Sequence, residues 1–238
     1  MNLFQALPSL RHHPLLCDKT VTLVGVSTIA CDETACYFEI GKPKYWQARE
    51  DGCTIAGIGG IGGSIEDGET ILACLRREVE EELGVRVRAD KLHPFELSPQ
   101  TYLIHDWQVT DTLNLTPSKK CPAPLMVILI PPRLGGLGTP DHSLRRASGR
   151  GLAIVAFRTC LRDQPAPCDL FGLLRVENRA LAEFFTRDEW PLNEAQALPG
   201  LTIALNGQLP PGSILRPILT ARAFQLLVRA GYAQKPGF

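Results

Sequence analysis

Residues 63–85 read GSIEDGETILACLRREVEEELGV, and four glutamates, Glu78, Glu80, Glu81 and Glu82, crowd into five of its positions. Like charges three or four residues apart on a helix repel by roughly 0.2–0.5 kcal/mol per pair, so something must hold this charge together. The helix itself is legible. Leu72, Leu75, Val79 and Leu83 recur at spacings of three and four, a stripe that must pack on something. Gly84 follows the last of them, where a left-handed cap costs glycine least. At about 100° per residue, Glu78, Glu81 and Glu82 fall in one sector roughly 100° wide beside the stripe, whereas Arg76 and Glu80 lie elsewhere. Carboxylates gathered so closely either share protons or neutralise themselves on a hard cation. Mg²⁺ or Mn²⁺ fits, since each takes oxygen ligands and leaves places for water and phosphate oxygens. The competing reading is a solvated face with Arg76–Glu80 and Arg77–Glu81 pairs, which is what charge runs usually are.

The residues upstream decide between these readings. Gly63, then five residues, Glu69, then seven residues, precede the run Arg77, Glu78, Val79, Glu81, Glu82, Gly84 and Val85. This order resembles the Nudix box at every defined position, and chance agreement is on the order of 10⁻⁹ per window. The resemblance covers 23 residues of the chain. It implies an α/β/α sandwich with a mixed β-sheet, and hydrolysis of a nucleoside diphosphate linked to another group, dependent on Mg²⁺ or Mn²⁺. By position it makes Glu78, Glu81 and Glu82 metal ligands. Glu69 would support or complete the metal site, and Arg77 would orient the carboxylates through an ion pair. Gly63 would let the chain pass close to the pyrophosphate. Gly57, Gly59, Gly60 and Gly62 extend that loop, and glycine permits close backbone approach to a ligand. The base that activates water is expected to be a glutamate of the box or one from a later segment, with Glu96, Glu177 and Glu183 as candidates.

The substrate is less sharply drawn. Pro99 lies fifteen residues beyond Gly84, a spacing similar to that in ADP-ribose pyrophosphatases of the family. Tyr102 lies eighteen beyond it, as in dinucleoside polyphosphate hydrolases. ADP-ribose or a nucleotide sugar is slightly preferred. The alternatives are a dinucleoside polyphosphate or a damaged nucleoside triphosphate and, in a different class, a non-catalytic nucleotide sensor. Tyr45, Trp46, Tyr102 and Trp107 offer aromatic faces for a base. Arg145, Arg146 and Arg150 offer charge for a phosphate.

Composition is that of ordinary globular material. Of 238 residues, 45% are hydrophobic, and 25 Lys plus Arg balance 25 Asp plus Glu, so no overall field attracts nucleic acid or an anionic membrane. No segment approaches the roughly 18 apolar residues of a membrane span. The opening run MNLFQALPSLRHHPLL is too short and too interrupted for a secretion signal. The eight cysteines form no CxxC pair and read as reduced, structural thiols. A cytoplasmic location follows as the expectation.

Residues 1–18 read as an irregular N-terminal arm, and 19–238 as a single domain. Strands are expected at 20–31, 35–40, 85–97, 100–110, 124–132, 151–160 and 169–176, with CTIAGIGGIGG (53–63) a strand that dissolves into a tight loop. A second helix is expected to begin in VENRALAEFF (176–185), and a C-terminal helix from about Pro217. The stretch 133–151, rich in Gly, Ser and Arg, reads as a mobile loop. The arm, this loop and the tail have three roles open to them: shaping the pocket, covering it, or forming a homodimer contact.

Overall fold

The computed structural model describes residues 1–17, 19–85, 100–115, 123–130 and 151–232. Strands β1 (Val21–Cys31) and β2 (Ala35–Ile40) form the first hairpin. Its turn is closed by Asp32, whose Oδ1 accepts from the amides of Thr34 and Ala35 at 2.6 and 2.8 Å. Aspartate offers the chain this local alternative to a ladder bond. β3 (Gln47–Ala48), β4 (Thr54–Gly59) and β5 (Ile61–Ser64) follow. Next come the glutamate helix, then β6 (Gln100–His105), β7 (Gln108–Asn114), β8 (Met126–Ile130) and β9 (Gly151–Cys160). The last strands are β10 (Gly172–Glu177), β11 (Trp190–Pro191), β12 (Leu201–Leu205) and β13 (Ile214–Pro217). The main path of the sheet runs β11-β13-β4-β2-β1-β9-β8-β6-β7. β1 pairs parallel with β9 and antiparallel with β2 and β5, so the sheet is mixed.

Alternation along the central strands divides the core in two, as a period of two must when both faces are covered. On one face, Leu23, Val26, Tyr37, Val127 and Phe157 pack with the glutamate helix α2 (Ile71–Leu83) and with Leu3, Leu7, Leu10 and Leu16. On the other, Phe38, Ile40, Ile58, Ile104 and Ile128 pack under α3 (Leu181–Phe184), α4 (Leu192–Ala197) and α5 (Leu219–Arg229). The expected α/β sandwich is present. Among the described residues no helix is long and apolar enough to cross a membrane.

Several local expectations are corrected. The first residues are not irregular: α1 (Leu3–Ala6) is a helical turn, with the Asn2 side chain accepting from the Phe4 amide at 2.8 Å, and a 3₁₀ turn follows at Pro8–His12. The glycine-rich segment does not dissolve after β4. It continues as β5, where Gly62 and Gly63 pair with Ser27 and Val26 of β1. A Cβ on Gly62 would lie 2.7 Å from the Ser27 Cα, so bare backbone is what lets these strands approach. Residues 176 and 177 stay in β10, held by the register Val176↔Cys36 and Glu177↔Ala35, and the helix after them is the single turn α3. Before α5, residues 214–217 run parallel to β4. Most of the expected strand 85–97 and of the expected loop 133–151 lies outside the described residues.

Candidate active site

Helix α2 is fixed at both ends. The Thr70 Oγ1 accepts from the Ala73 amide at 3.2 Å, and Gly84, at φ 65°, turns the chain out in the left-handed region. The carbonyls of Glu81, Glu82 and Leu83, which have no partner within a helix, accept from the amides of Asp169, Cys168 and Ala166 at 3.2, 2.9 and 3.1 Å. The apolar stripe is buried as expected, with Leu75 and Val79 fully enclosed and Leu72 half-buried at the edge. That burial orients the glutamates beside it.

Glu82 is sunk against β5, its Oε2 accepting from the Gly62 amide at 3.0 Å. Glu78 lies on the bare Cα of Gly63. Glu81 stays exposed, and Glu80 faces solvent on its own side. Arg77 ties the set together. Its Nε and Nη2 donate to the two oxygens of Glu69 at 3.0 and 3.1 Å, and its Nη1 donates to Glu78 Oε1 at 2.7 Å and Glu81 Oε2 at 3.4 Å. Nη2 also donates to the Ser64 carbonyl at 3.2 Å, anchoring the guanidinium to the end of β5. Of the solvated-face pairs, Arg77–Glu81 is formed, but as one arm of this fork. Glu69, expected to support or complete the metal site, commits both oxygens to Arg77, and one of them also accepts from the Glu66 amide at 3.0 Å.

A residue that sequence reasoning missed completes the cluster. Glu39 on β2 stands opposite Gly59 on β4 and on the same face of the sheet as α2. Burial pushes its carboxyl up to about 7, with the negative charge of Glu78 adding and Lys42 opposing. Glu82 is pushed up to about 9 by burial first, then by the charges of Glu39 and Glu78, against the Gly62 amide and Lys42. Glu78 is raised by burial despite its bond to Arg77, whereas Arg77 holds Glu69 below the usual range. The one cue to Glu39 in the sequence was an acid inside the otherwise apolar strand ACYFEI. Lys42, just past β2, pairs with Asp169 at 3.0 Å.

The other expected residues are not gathered here. Tyr102 packs edge-on against Tyr232, ring centroids 5.9 Å apart, among the cluster under α5. Trp107 packs with that same cluster. Trp46 donates from Nε1 to the Gly41 carbonyl at 2.7 Å and meets Phe171 edge-on. Tyr45 is exposed beneath Lys44. Glu177 is paired with Arg175 and Arg179 at 3.3 and 2.7 Å, and Glu183 sits on α3. Pro99, Glu96, Arg145, Arg146 and Arg150 lie outside the described residues.

The chemistry of this donor set suits a hard divalent cation. Glu39, Glu78 and Glu82 are desolvated carboxylates that raise one another's proton affinity, the condition a bound cation relieves. Their arrangement is not a closed coordination shell: among the described residues no three Asp, Glu, His or Cys side chains are grouped to hold a metal ion. Arg77 draws Glu78 and Glu81 toward itself instead.

No curated protein sequence matches the chain. Among solved structures, the solution structure of the E. coli ORF135 protein aligns with 68% of this chain and 79% of its own, at 12% identity and a TM-score of 0.33. The family model for the NUDIX domain matches residues 43–116, which span β4, β5, the whole of α2 and the hairpin of β6 and β7. Over this segment the chain is similar to the NUDIX domain family.

Proposed function

We propose that the protein is a divalent-metal-dependent pyrophosphohydrolase that cleaves the diphosphate linkage of a nucleoside diphosphate joined to another moiety, with ADP-ribose or a nucleotide sugar as the preferred substrate class. The observation that carries this reading is the group Glu78, Glu82 and Glu39, partly desolvated and gathered over a glycine strand, with Arg77 setting the rotamers of Glu78 and Glu81. A domain that only bound nucleotide would have no chemical use for so costly a concentration of buried carboxyl groups.

In this reading Glu78, Glu81 and Glu82 hold Mg²⁺ or Mn²⁺, with Glu39 as a further carboxylate at the site. Bound there, the cation neutralises diphosphate oxygens and lowers the pKa of water. The protein's own groups do the positioning. The Gly62 amide fixes one oxygen of Glu82, leaving the other to face the substrate. Arg77 and Glu69 form a rigid fork that keeps Glu78 and Glu81 from swinging apart. Gly63 gives Glu78 the room it occupies. Lys42, at the rim, adds the positive charge an anionic substrate needs. The preference over dinucleoside polyphosphates is supported by Tyr102, whose ring is engaged with Tyr232 on the opposite face of the sheet.

The test is turnover of a panel of ADP-ribose, nucleotide sugars, dinucleoside polyphosphates and oxidised triphosphates with Mg²⁺, Mn²⁺ or chelator, products resolved by chromatography. Metal-dependent release of nucleoside monophosphate plus a phosphorylated sugar supports the proposal. Monophosphate plus pyrophosphate from a triphosphate replaces its substrate class. Tight nucleotide binding with no cleavage of any substrate overturns it in favour of a sensor.

A further inference from the structure

Cys31 and Cys36 face each other across the β1–β2 hairpin, directly opposed in register. Their Sγ atoms are 2.6 Å apart and both residues are fully buried. Directly opposed residues of an antiparallel pair have Cα atoms roughly 4.5–5.5 Å apart, inside the ~4.4–6.8 Å that a disulfide spans. The pair can therefore close without moving the backbone. On the next strand, Arg158 of β9 is 4% exposed and stands in register with Ile29, on the sheet face that Ile29 shares with Cys31, where its charge favours the Cys31 thiolate. Cys160, in register with Cys31 at the end of β9, is exposed.

The two buried thiols are not equivalent. Burial raises the Cys31 thiol, but the hydrogen bond from Cys36 and the charge and hydrogen bond of Arg158 together bring it below its ordinary value. Cys36 is pushed up by burial and by Cys31. Cys31 is thus the more acidic thiol of the pair and Cys36 the less acidic, the order that nucleophilic and resolving cysteines require.

We propose that Cys31, Cys36 and Arg158 form a hydroperoxide-reactive dithiol site, in which Cys31 is the attacking sulfur and Cys36 resolves it into an intramolecular disulfide. In the first step the Cys31 thiolate attacks one oxygen of hydrogen peroxide. The O–O bond breaks, the leaving hydroxide takes a proton from solvent to become water, and Cys31 becomes a sulfenic acid. In the second, Cys36 Sγ attacks the Cys31 sulfur. The S–O bond breaks, and the hydroxide leaves with the Cys36 thiol proton as a second water. Two electrons pass from the sulfurs to peroxide. This site lies on the face opposite α2 and does not depend on the hydrolase reading.

Reduced full-length protein, treated with hydrogen peroxide, alkylated under denaturing conditions and digested with trypsin, gives the test, because both cysteines fall in the peptide after Lys19. The expected product is that peptide unalkylated and lighter by two hydrogens, restored by reductant. Cys36→Ser stops at a Cys31 sulfenic acid that dimedone traps, and Arg158→Met slows disulfide formation at least about tenfold, whereas Cys160→Ser leaves its rate unchanged. If peroxide oxidises Cys160 while Cys31 and Cys36 remain alkylatable, or if dimedone labels nothing in Cys36→Ser, the proposal is overturned. An unchanged rate in folded Arg158→Met overturns the role of the arginine. Should that variant not fold, the dimedone result on Cys36→Ser decides alone.

Discussion

Gly63 and Glu78 exclude any larger pairing: a Cβ on residue 63 would lie 2.6 Å from Cδ of Glu78 and nearer still to its Oε1. The glycine of the box thus leaves free the space that a carboxylate fifteen residues away occupies, before any substrate is present. Its φ is not in the left-handed region, so the constraint is space and not backbone conformation. Gly63→Ala should displace Glu78 from its place under Arg77 and lower kcat/KM by about 10²-fold, while circular dichroism and the melting temperature change little. Full activity in a well-folded Gly63→Ala protein would remove Glu78 from the chemistry.

Arg77 reaches Glu69 with two parallel hydrogen bonds and Glu78 with a third nitrogen. Lysine keeps the charge but cannot form the fork. Arg77→Lys should therefore lower kcat by about tenfold or more with KM for substrate nearly constant, since the guanidinium spends its hydrogen bonds on Glu69, Glu78, Glu81 and the Ser64 carbonyl. A rise in KM alone, seen in steady-state kinetics, would mean that Arg77 binds the substrate directly.

Glu82 costs the metal-free fold stability. Its carboxyl is pushed up to about 9 in the fold, against about 4.3 in an unfolded chain. The folded state therefore holds a proton that the unfolded state has lost, and metal-free stability falls as pH rises from about 4 toward 9. Glu82→Gln removes that dependence. In chelator at pH 8 the variant should be more stable than the parent, by on the order of 1–3 kcal/mol, and the gap should close near pH 4. With Mg²⁺ the same variant should lose about 10²-fold or more in turnover. Denaturant melts at two pH values check the first claim, and initial rates the second.

Asp32 behaves in the opposite sense. Burial raises its carboxyl, but hydrogen bonds from Tyr37, Thr34 and the amides of Thr34 and Ala35 outweigh this and hold it below its usual range. A depressed folded value means the stabilisation is complete above the unfolded value of about 3.9 and is lost as pH falls through the folded one. Asp32→Asn should cost on the order of 1 kcal/mol at pH 7, and the difference should shrink below about pH 4. A constant difference from pH 7 to pH 3 would show that the turn needs only a carbonyl oxygen and not a charge.

What could be read in the sequence followed the reach of each signal. The glutamate helix was legible because its burial obeys a local period: Leu75, Val79 and Leu83 fix which way Glu78 and Glu82 turn. The link from Glu69 to Arg77, eight positions apart across a turn, was not legible: the resemblance placed Glu69 at the metal, whereas both its oxygens go to the arginine. Glu39 was not legible, because its membership depends on a strand register that brings β2 beside β4, and no local pattern encodes that pairing. The same limit hid the placement of Tyr102. Whether a strand residue faces α2 or α5 is settled by a shift of one position, and here it meets Tyr232. The glycines of 59–63 were legible as a requirement for bare backbone, but the nearest claim on that space comes from β1 and α2 within the protein.

The N-terminal arm gives the clearest case of a segment whose weight the sequence understated. Interrupted by Pro8, Arg11 and two histidines, it lacks a sustained apolar period, yet Leu3, Leu10 and Leu16 are at most 1% exposed and share a cluster with Leu75, Val79 and Leu83 of α2. The arm therefore covers the apolar face that α2 and the sheet would otherwise expose, and is coupled through that cluster to the helix bearing the glutamates. Leu10→Ala should cost about 2–5 kcal/mol, the range for emptying a buried leucine site, and deletion of residues 1–16 should cost more. Because the loss acts through the packing of α2, Leu10→Ala should also raise the Mg²⁺ concentration needed for half-maximal turnover. If urea melts show less than about 0.5 kcal/mol lost and the Mg²⁺ dependence is unmoved, the arm is a surface attachment rather than part of the core.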